Sequence, residues 1–371
     1  MLKITNLRNG TVLNAEHGRE SGDCLEIMVE GFLESPGPVT VNGVTVMEDS
    51  QLFHIPVSLD REFNEIVAKT RNNHGEFQQS VKVVWDRKSF KRYNFFIDDN
   101  IFFLTDICKN KPNSLFDHFY LKRLKDIHRK YGTKFTLNLF YRNDHHPFEL
   151  KDFPGSYKAE WRDNADWLKL SFHAYSEFPD RPYQNATPAK LAADYDLLHA
   201  EVVRFAGEET FQPPDVVHWG MALPEAFYVL KERGVKVLCG EFINAKTFVG
   251  EKERNSQTTD IGYYRDKDTA LYLLHHHLLY DFEHELLFVK GDVCCNLLTR
   301  EEIAEKLTVS CQRPGHTTLN LLTHEQYSFD YYHNFIPDHF DRMEAAVRIA
   351  TEHGYQPVFF HDGFLGNRSW T

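Results

Sequence analysis

Residues 93–99, Tyr-Asn-Phe-Phe-Ile-Asp-Asp, determine how the rest of the chain is interpreted. The aromatic and apolar run at its start predicts a buried strand. Two adjacent carboxylates, Asp98 and Asp99, close this strand, and such a pair cannot be buried without partners. Strand ends are also where α/β barrels carry their chemistry. A metal ion or a shared proton would account for the pair, and an Asp-Asp-Asn turn that caps the next element is the alternative.

Two later histidines stand in the same position relative to a predicted strand. His173 follows the apolar run 167–172, and His324 follows the run 317–323. After residue 90 such strands alternate with amphipathic helices, which we predict at 115–131, 191–205, 223–233 and 338–352. The alternation indicates a parallel sheet closed into a barrel, so the two histidines and the Asp pair should meet at one rim. Each histidine taken alone could instead be an exposed loop residue.

The first 90 residues follow a different pattern. Short β-rich runs alternate with turn signals, and Asn42-Gly43 between two Val-rich segments is a strong hairpin signal. We therefore expect an all-β sandwich at residues 1–90 and a (β/α) barrel domain at residues 91–371.

Composition excludes several classes of function. The 371 residues carry a net charge of −12, so there is no basic excess for binding nucleic acid or an anionic membrane surface. Six cysteines without C-x-x-C spacing indicate neither a zinc knuckle nor a disulfide framework. The sequence shows no membrane span and no secretory signal, so we expect a cytoplasmic location, or an extracellular one if a leader has been removed. The oligomeric state is not predicted.

The order of motifs over residues 91–362 resembles the polysaccharide deacetylases, the NodB-type carbohydrate esterases. Segment 96–100 matches their Asp-Asp motif, and segment 173–177 matches His-Ser-x-x-His. Segment 212–220 is similar to Arg-Pro-Pro-x-Gly, and segment 321–324 matches the apolar strand that ends in a histidine. The first 90 residues resemble a bacterial immunoglobulin-like module. The resemblance implies a distorted, seven-stranded deacetylase-type barrel that follows an immunoglobulin-like sandwich.

The resemblance also implies a reaction, the metal-dependent removal of an N-acyl group, such as acetyl, from a carbohydrate or a related amide. In that family the residue at Asp98 is the general base, and the one at His324 is the general acid. Asp99 and His173 would bind a divalent metal ion, commonly zinc, with manganese, iron, nickel and cobalt as alternatives.

Two positions depart from the family pattern. Glu177 stands where the family has its second histidine ligand, and a carboxylate there can bind a metal while shifting preference toward harder ions. Gln212 stands where the family has the arginine that orients the base. We expect Glu177 to be the third ligand. Substrate contacts are expected from Gln212, Trp219, His145 and His146; either of these two histidines could also be the missing ligand or belong to an ordinary loop.

Two other functions remain open from the sequence. A degenerate barrel could bind carbohydrate without catalysis. A glycosidase could work through Asp98 and Glu177, but no sequence feature sets the separation of carboxylates that such an enzyme needs.

Overall fold

The computed structural model describes residues 1–73, 75–240, 263, 267–363 and 365. Helices and several sheets together make this a mixed α/β protein. The chain divides into two compact units. The first contains Met1–Ser89 and Leu278–Leu287, and the second contains Phe90–His277 and Phe288–Gly363. None of the helices in the described residues combines the length and the apolar character needed to cross a membrane.

The first unit is built from β-strands. Its strands are β1 (Leu2–Ile4), β2 (Thr11–Leu13), β3 (Arg19–Ser21), β4 (Cys24–Leu33), β5 (Gly37–Val41), β6 (Val44–Glu48), β7 (Leu52–Leu59), β8 (Phe63–Asn72), β9 (Gly75–Trp85) and β16 (Leu278–Asp281). One sheet has β4 paired with β1, β3 and β7, and the other runs β16-β2-β9-β8-β5-β6. Buried residues of both sheets form one hydrophobic core.

Alternating burial explains why these segments form half-buried strands. In β7 the residues are exposed and buried in strict turn, so one face meets the core and the other meets solvent. The predicted hairpin is confirmed: β5 pairs with β6, and Asn42 and Gly43 form the turn with φ of 44° and 88°. Positive φ at both turn residues suits the right-handed twist of the paired strands. The likeness of this unit to an immunoglobulin-like module stays a prediction.

The second unit alternates strands and helices. Its strands are β10 (Arg92–Asn100), β11 (Phe135–Phe140), β12 (Arg142–Asn143), β13 (Phe148–Glu149), β14 (Leu168–Ala174), β15 (Val237–Gly240), β18 (Val293–Cys294), β19 (Thr318–His324) and β20 (Gln356–Pro357). A further strand, β17, covers Leu286–Lys290. Its helices are α1 (Phe102–Asn110), α2 (Phe119–Tyr131), α3 (Lys158–Asp163), α4 (Pro188–Phe205), α5 (Phe227–Glu232), α6 (Lys267–His276), α7 (Arg300–Cys311) and α8 (His339–Glu352).

The central sheet of this unit is parallel and has the order β14-β11-β10-β19-β18, with β20 beside the start of β10. Its three middle strands are fully or almost fully buried, as expected for a sheet covered on both faces. An isolated parallel bridge between Leu170 and Phe211 continues the pairing beyond β14. In the described residues the strand pairing gives a mixed α/β architecture without closing into a barrel, so closure stays a prediction.

Parallel pairing aligns the carboxyl ends of these strands. Asp98 of β10 pairs with His324 of β19, and β11 lies between β10 and β14, which carries His173. The predicted meeting of these residues at one edge of the sheet is therefore a direct result of strand order.

Helix α1 was not predicted from the sequence, and a distant residue holds its N-terminus. Its N-cap, Ile101, has no side chain that could accept a hydrogen bond. The fully buried Glu325 accepts instead, from the backbone N–H groups of Ile101, Phe102 and Phe103 at 2.6, 2.8 and 2.6 Å. A carboxylate is favourable at a helix N-terminus because it satisfies free N–H groups and meets the positive end of the helix dipole. Glu325 thereby ties the end of β19 to the chain that leaves Asp99.

Replacing Glu325 by glutamine should destabilise the second unit. Both carboxylate oxygens accept backbone N–H groups, so an amide NH₂ in either place would face a donor. We expect the free energy of unfolding to fall by about 2–4 kcal/mol, the usual effect of breaking a buried hydrogen-bond network. Urea unfolding followed by far-UV circular dichroism measures this change. The matched control Glu344→Gln, at a partly exposed surface pair with Lys130, should change stability by less than about 0.5 kcal/mol.

A candidate metal and catalytic site

A bulge at the end of β10 brings both carboxylates to one place. Pairing with β11 shifts register between Ile97 and Asn100, and Asp99 has a φ of +63°, which is uncommon outside glycine. As a result Oδ1 of Asp98 lies 3.8 Å from Nδ1 of His173, and Oδ1 of Asp99 lies 3.1 Å from Nε2 of the same ring. A regular strand would direct neighbouring side chains to opposite faces. The unusual backbone conformation therefore gathers the Asp pair around one imidazole.

Three buried side chains converge at this point. Oδ1 of Asp99 is 3.1 Å from Nε2 of His173 and 3.3 Å from Nδ1 of His218, and the two nitrogens are 3.0 Å apart. The ring of Phe140, the last residue of β11, packs on both imidazoles, with centroid distances of 5.4 and 5.0 Å. His218 lies in a short 3₁₀ turn, His218–Gly220. We call Asp99, His173 and His218 the ligand triad.

The donor atoms of the ligand triad fit a divalent metal ion. Tetrahedral zinc with bonds of about 2.0–2.1 Å separates its ligand atoms by about 3.3 Å, close to the distances observed here. Oδ1 of Asp99 is buried and accepts no hydrogen bond among the described residues, although unpaired buried carboxylate oxygens are rare. A bound cation would satisfy this atom.

The protonation states also suit a metal site. Burial, partly offset by Asp99, lowers the pKa of His173 to about 4, so its imidazole is neutral near neutral pH. Nδ1 of His173 lies 3.1 Å from the Val216 carbonyl, and a hydrogen bond there leaves the Nε2 lone pair facing the triad. Burial alone would raise the pKa of Asp99, but its contacts with His173 and His218 keep that pKa well below the usual value. A neutral imidazole beside an ionised carboxylate is the form that binds a metal.

A second buried cluster, formed by His277, Asp292 and His316, has hydrogen-bond partners of its own. Asp292 contacts Nε2 of His316 at 2.9 Å and accepts the backbone N–H of Asn320 at 2.8 Å. The side chain of Asn320 contacts Nε2 of His277 at 2.9 Å. These ring and carboxylate atoms already have hydrogen-bond partners. We therefore interpret the cluster as a structural hydrogen-bond network. A third group, Asp281, Glu283 and His284, belongs to a turn that its own hydrogen bonds close.

Asp98 lies beside the ligand triad, 3.8 Å from Nδ1 of His173. Its side chain is nearly buried, and Nδ2 of Asn138 donates to Oδ1 at 2.8 Å. Asn138 comes from the middle of β11, on the strand next to Asp98. A neutral amide, that of Asn138, therefore contacts this carboxylate.

His324 lies across the strand pair from Asp98 and has a defined tautomer. Its Nδ1 is 2.9 Å from Oδ1 of Asn296, and the same oxygen accepts the backbone N–H of His324 at 3.2 Å. An amide oxygen can only accept, so Nδ1 carries the hydrogen and Nε2 is left to bind or release a proton. The ring is partly exposed, as a proton donor to substrate must be.

Glu177 and the two neighbouring histidines lie outside the ligand triad. Glu177 is not a member of the ligand triad; its Oε2 lies 2.5 Å from Nε2 of His145. His146 packs against Phe102 and Tyr331, with ring centroids 5.6 and 5.4 Å apart. His218, and not Glu177, therefore lies with Asp99 and His173, whereas the sequence favoured Glu177 as the third ligand.

Gln212 and Trp219 were both predicted to contact substrate, and the structure places them differently. Gln212 is buried, with its amide on Thr136 and 3.5 Å from Asp215, so it lines the interior below the site. Trp219 is 43% exposed beside His218, and the Arg181 guanidinium lies 4.4 Å from its ring centroid. Its φ of +66° is strained for a bulky residue. The position of Trp219 is compatible with a substrate contact, and both roles stay predictions.

Comparisons with known proteins give little further guidance. No protein-family model matches the chain, and no curated protein matches it. Among solved structures, a peptidoglycan N-acetylglucosamine deacetylase in complex with 4-naphthalen-1-yl-N-oxidanyl-benzamide is similar over 76% of this chain and 92% of its own. The sequence identity is 10% and the TM-score 0.34. A TM-score this low establishes neither a shared family nor a shared activity.

Proposed function

We propose that this protein is a metal-dependent hydrolase that removes an N-acyl group, such as acetyl, from a carbohydrate. The observation that carries the proposal is the ligand triad of Asp99, His173 and His218, flanked by the carboxylate of Asp98 and the imidazole of His324. Metal ligands, a base and an acid at one edge of a parallel sheet are the parts that amide hydrolysis requires.

The metal would be held by Asp99, His173 and His218. Two imidazoles and a carboxylate suit zinc, so zinc is our first choice, with iron, manganese, nickel and cobalt as alternatives. When bound, such an ion supplies Lewis acidity to a water molecule and to the amide carbonyl. His218 replaces Glu177 in our assignment of ligands, because Glu177 contacts His145 instead.

The residues of the chain divide the proton transfers between them. Asp98 accepts a proton from the attacking water while the oxygen of that water bonds to the amide carbon. Nε2 of His324 donates a proton to the nitrogen as the carbon–nitrogen bond breaks, which releases an amine and a carboxylic acid. Asn138 holds Asp98 by its Oδ1, and Asn296 holds His324 by its Nδ1. Both groups are therefore oriented by neutral amides.

The wider assignments belong to the same proposal. We propose a deacetylase-type barrel at residues 91–371, an immunoglobulin-like module at residues 1–90 and a cytoplasmic location. The competing glycosidase hypothesis would need Asp98 and Glu177 to act as a carboxylate pair. We place it second, because Asp98 lies beside the imidazole of His173 in the ligand triad, whereas Glu177 contacts His145.

Acetate release from di-N-acetylchitobiose by the zinc-loaded protein tests the proposal. We expect release to stop in excess EDTA and to return when zinc is restored. Release that is indifferent to EDTA would contradict a metal-dependent reaction. A zinc-loaded protein that binds the sugar without releasing acetate would favour the carbohydrate-binding alternative.

A further inference from the structure

A buried acid outside the ligand triad, Asp215, has no part in the proton transfers described above. Its side chain is completely buried, in the segment that follows the bridge between Leu170 and Phe211. Its Oδ1 lies 3.5 Å from the amide nitrogen of Gln212 and 4.0 Å from Nε2 of His361. Its Oδ2 is buried and has no hydrogen-bond partner in the parts of the chain that the structure describes. A buried carboxyl group with so few partners is uncommon and calls for an explanation.

The polar side chains that contact Asp215 are neutral. Among the described residues they are the hydroxyl of Thr136, the amides of Asn138 and Gln212, and the ring of His361. Nε2 of His361 donates to a backbone carbonyl at 3.1 Å, and burial lowers the pKa of this ring to about 4, so it is uncharged near neutral pH. Burial raises the pKa of Asp215 well above its ordinary value, and the contacts with Thr136 and Asn138 only partly offset that rise. Asp215 is therefore a protonated carboxylic acid, which can donate a hydrogen bond.

Asn138 contacts both this acid and the base. Its Nδ2 donates to Oδ1 of Asp98 at 2.8 Å, and its side chain also contacts Asp215. Oδ1 of Asn138 is buried and, within the described residues, has no hydrogen-bond partner. An amide oxygen can only accept, so it needs a donor, and a protonated Asp215 can supply one. An ionised Asp215 would instead attract Nδ2 and turn Oδ1 of Asn138 toward Asp98, where two acceptors would face each other.

We propose that Asp215 is a positioning residue for the base: its carboxylic acid donates to Oδ1 of Asn138 and thereby fixes Nδ2 of Asn138 on Asp98. The amide has two orientations related by a flip, and only one of them presents an N–H group to Asp98. When this hydrogen bond is lost, the amide can turn, and Asp98 no longer has a fixed position relative to the attacking water. The catalytic consequence rests on the proposed deacetylase function, whereas the hydrogen-bond arrangement does not.

Neutron diffraction from deuterium-exchanged wild-type crystals near neutral pH tests the arrangement without reference to activity. We expect one deuterium on the carboxyl group of Asp215, directed to Oδ1 of Asn138, and a deuterium on Nδ2 of Asn138 that is directed to Asp98. A carboxyl group of Asp215 without deuterium would overturn the proposal. So would an Asn138 amide that presents Oδ1 to Asp98.

A kinetic test compares Asp215→Asn and Asp215→Ala with wild type, each loaded with zinc. Asparagine at position 215 keeps an N–H donor for Asn138, so kcat for acetate release from di-N-acetylchitobiose should stay within about threefold. Alanine removes the donor and should lower kcat by about tenfold to a hundredfold, with KM and zinc content within about twofold of wild type. The matched control Asp194→Ala removes another buried acid, one on helix α4 that pairs with Lys190, and should leave kcat within about twofold.

The double variant Asn138→Ala/Asp215→Ala tests whether Asp215 acts through Asn138. If it does, the kcat of the double variant should lie within about twofold of that of Asn138→Ala. The proposal is wrong if the effects of the two positions multiply, or if Asp215→Asn loses as much kcat as Asp215→Ala. If wild type releases no acetate, the deacetylase function fails, and the neutron map alone decides between the two orientations of Asn138.

Discussion

Replacing His218 by alanine is expected to remove the metal and, with it, the hydrolytic activity. His218 supplies one of the three donor atoms that lie 3.0–3.3 Å apart in the ligand triad. Loss of a residue that only supports a ligand weakens metal affinity by about 10–100-fold, so loss of a ligand should weaken it by at least about 100-fold. Zinc content after dialysis, and a competition titration with a chromogenic chelator, measure this change.

The matched control for His218→Ala is His146→Ala, which replaces a histidine outside the ligand triad. This variant should retain one equivalent of zinc per chain. If His218→Ala keeps zinc with wild-type affinity while Glu177→Ala loses it, the family-like assignment of ligands is right and ours is wrong.

Replacing Asp98 by asparagine should abolish turnover while the metal stays bound. Asn138 can still donate to the oxygen of an asparagine at position 98, so the local hydrogen bond and the fold are preserved. An amide cannot accept a proton from water, and loss of a general base slows catalysis by about 10²–10⁴-fold. Single-turnover acetate release at saturating di-N-acetylchitobiose measures the chemical step apart from binding.

The zinc content and sugar affinity of Asp98→Asn serve as its internal controls. Both should remain within about twofold of wild type, because Asp98 is not a member of the ligand triad. A kcat that stays within tenfold of wild type would show that another group takes the proton.

Much of this site could be predicted because its residues follow strands. Asp98, Asp99, His173 and His324 each end an apolar run, and parallel strands bring such ends together. The hairpin at Asn42-Gly43 was equally predictable, since its conformation depends on two adjacent residues. In both cases a local pattern of sequence determines the structure.

His218 could not be predicted in the same way because it does not follow a regular strand. It sits in a short 3₁₀ turn after the Pro-Pro motif, and it enters the site through chain geometry that includes positive φ at Trp219 and Gly220. The histidine's place between that motif and a Trp-Gly pair was the one available signal. The sequence favours a substrate contact for the neighbouring Trp219 and does not mark His218 as a ligand.

Helix α1 could not be predicted from the sequence for a related reason. Residues 100–104, Asn-Ile-Phe-Phe-Leu, continue the apolar character of β10 and show no local cap at the helix start. The acceptor for its first N–H groups is Glu325, more than two hundred positions later in the chain. The sequence pattern also predicted one helix over 115–131, where the chain forms a 3₁₀ turn at Leu115–Asp117 and then α2, which His118 caps. Long-range capping and local breaks of this kind leave little trace in hydrophobic periodicity.

Anomalous diffraction from crystals grown with zinc tests the central claim most directly. Data recorded on both sides of the zinc absorption edge locate the ion and its ligands without reference to activity. We predict a single strong peak within bonding distance of Oδ1 of Asp99, Nε2 of His173 and Nδ1 of His218, with Glu177 still on His145. A peak coordinated by Glu177 in place of His218, or no peak near Asp99 in zinc-saturated crystals, would contradict the account.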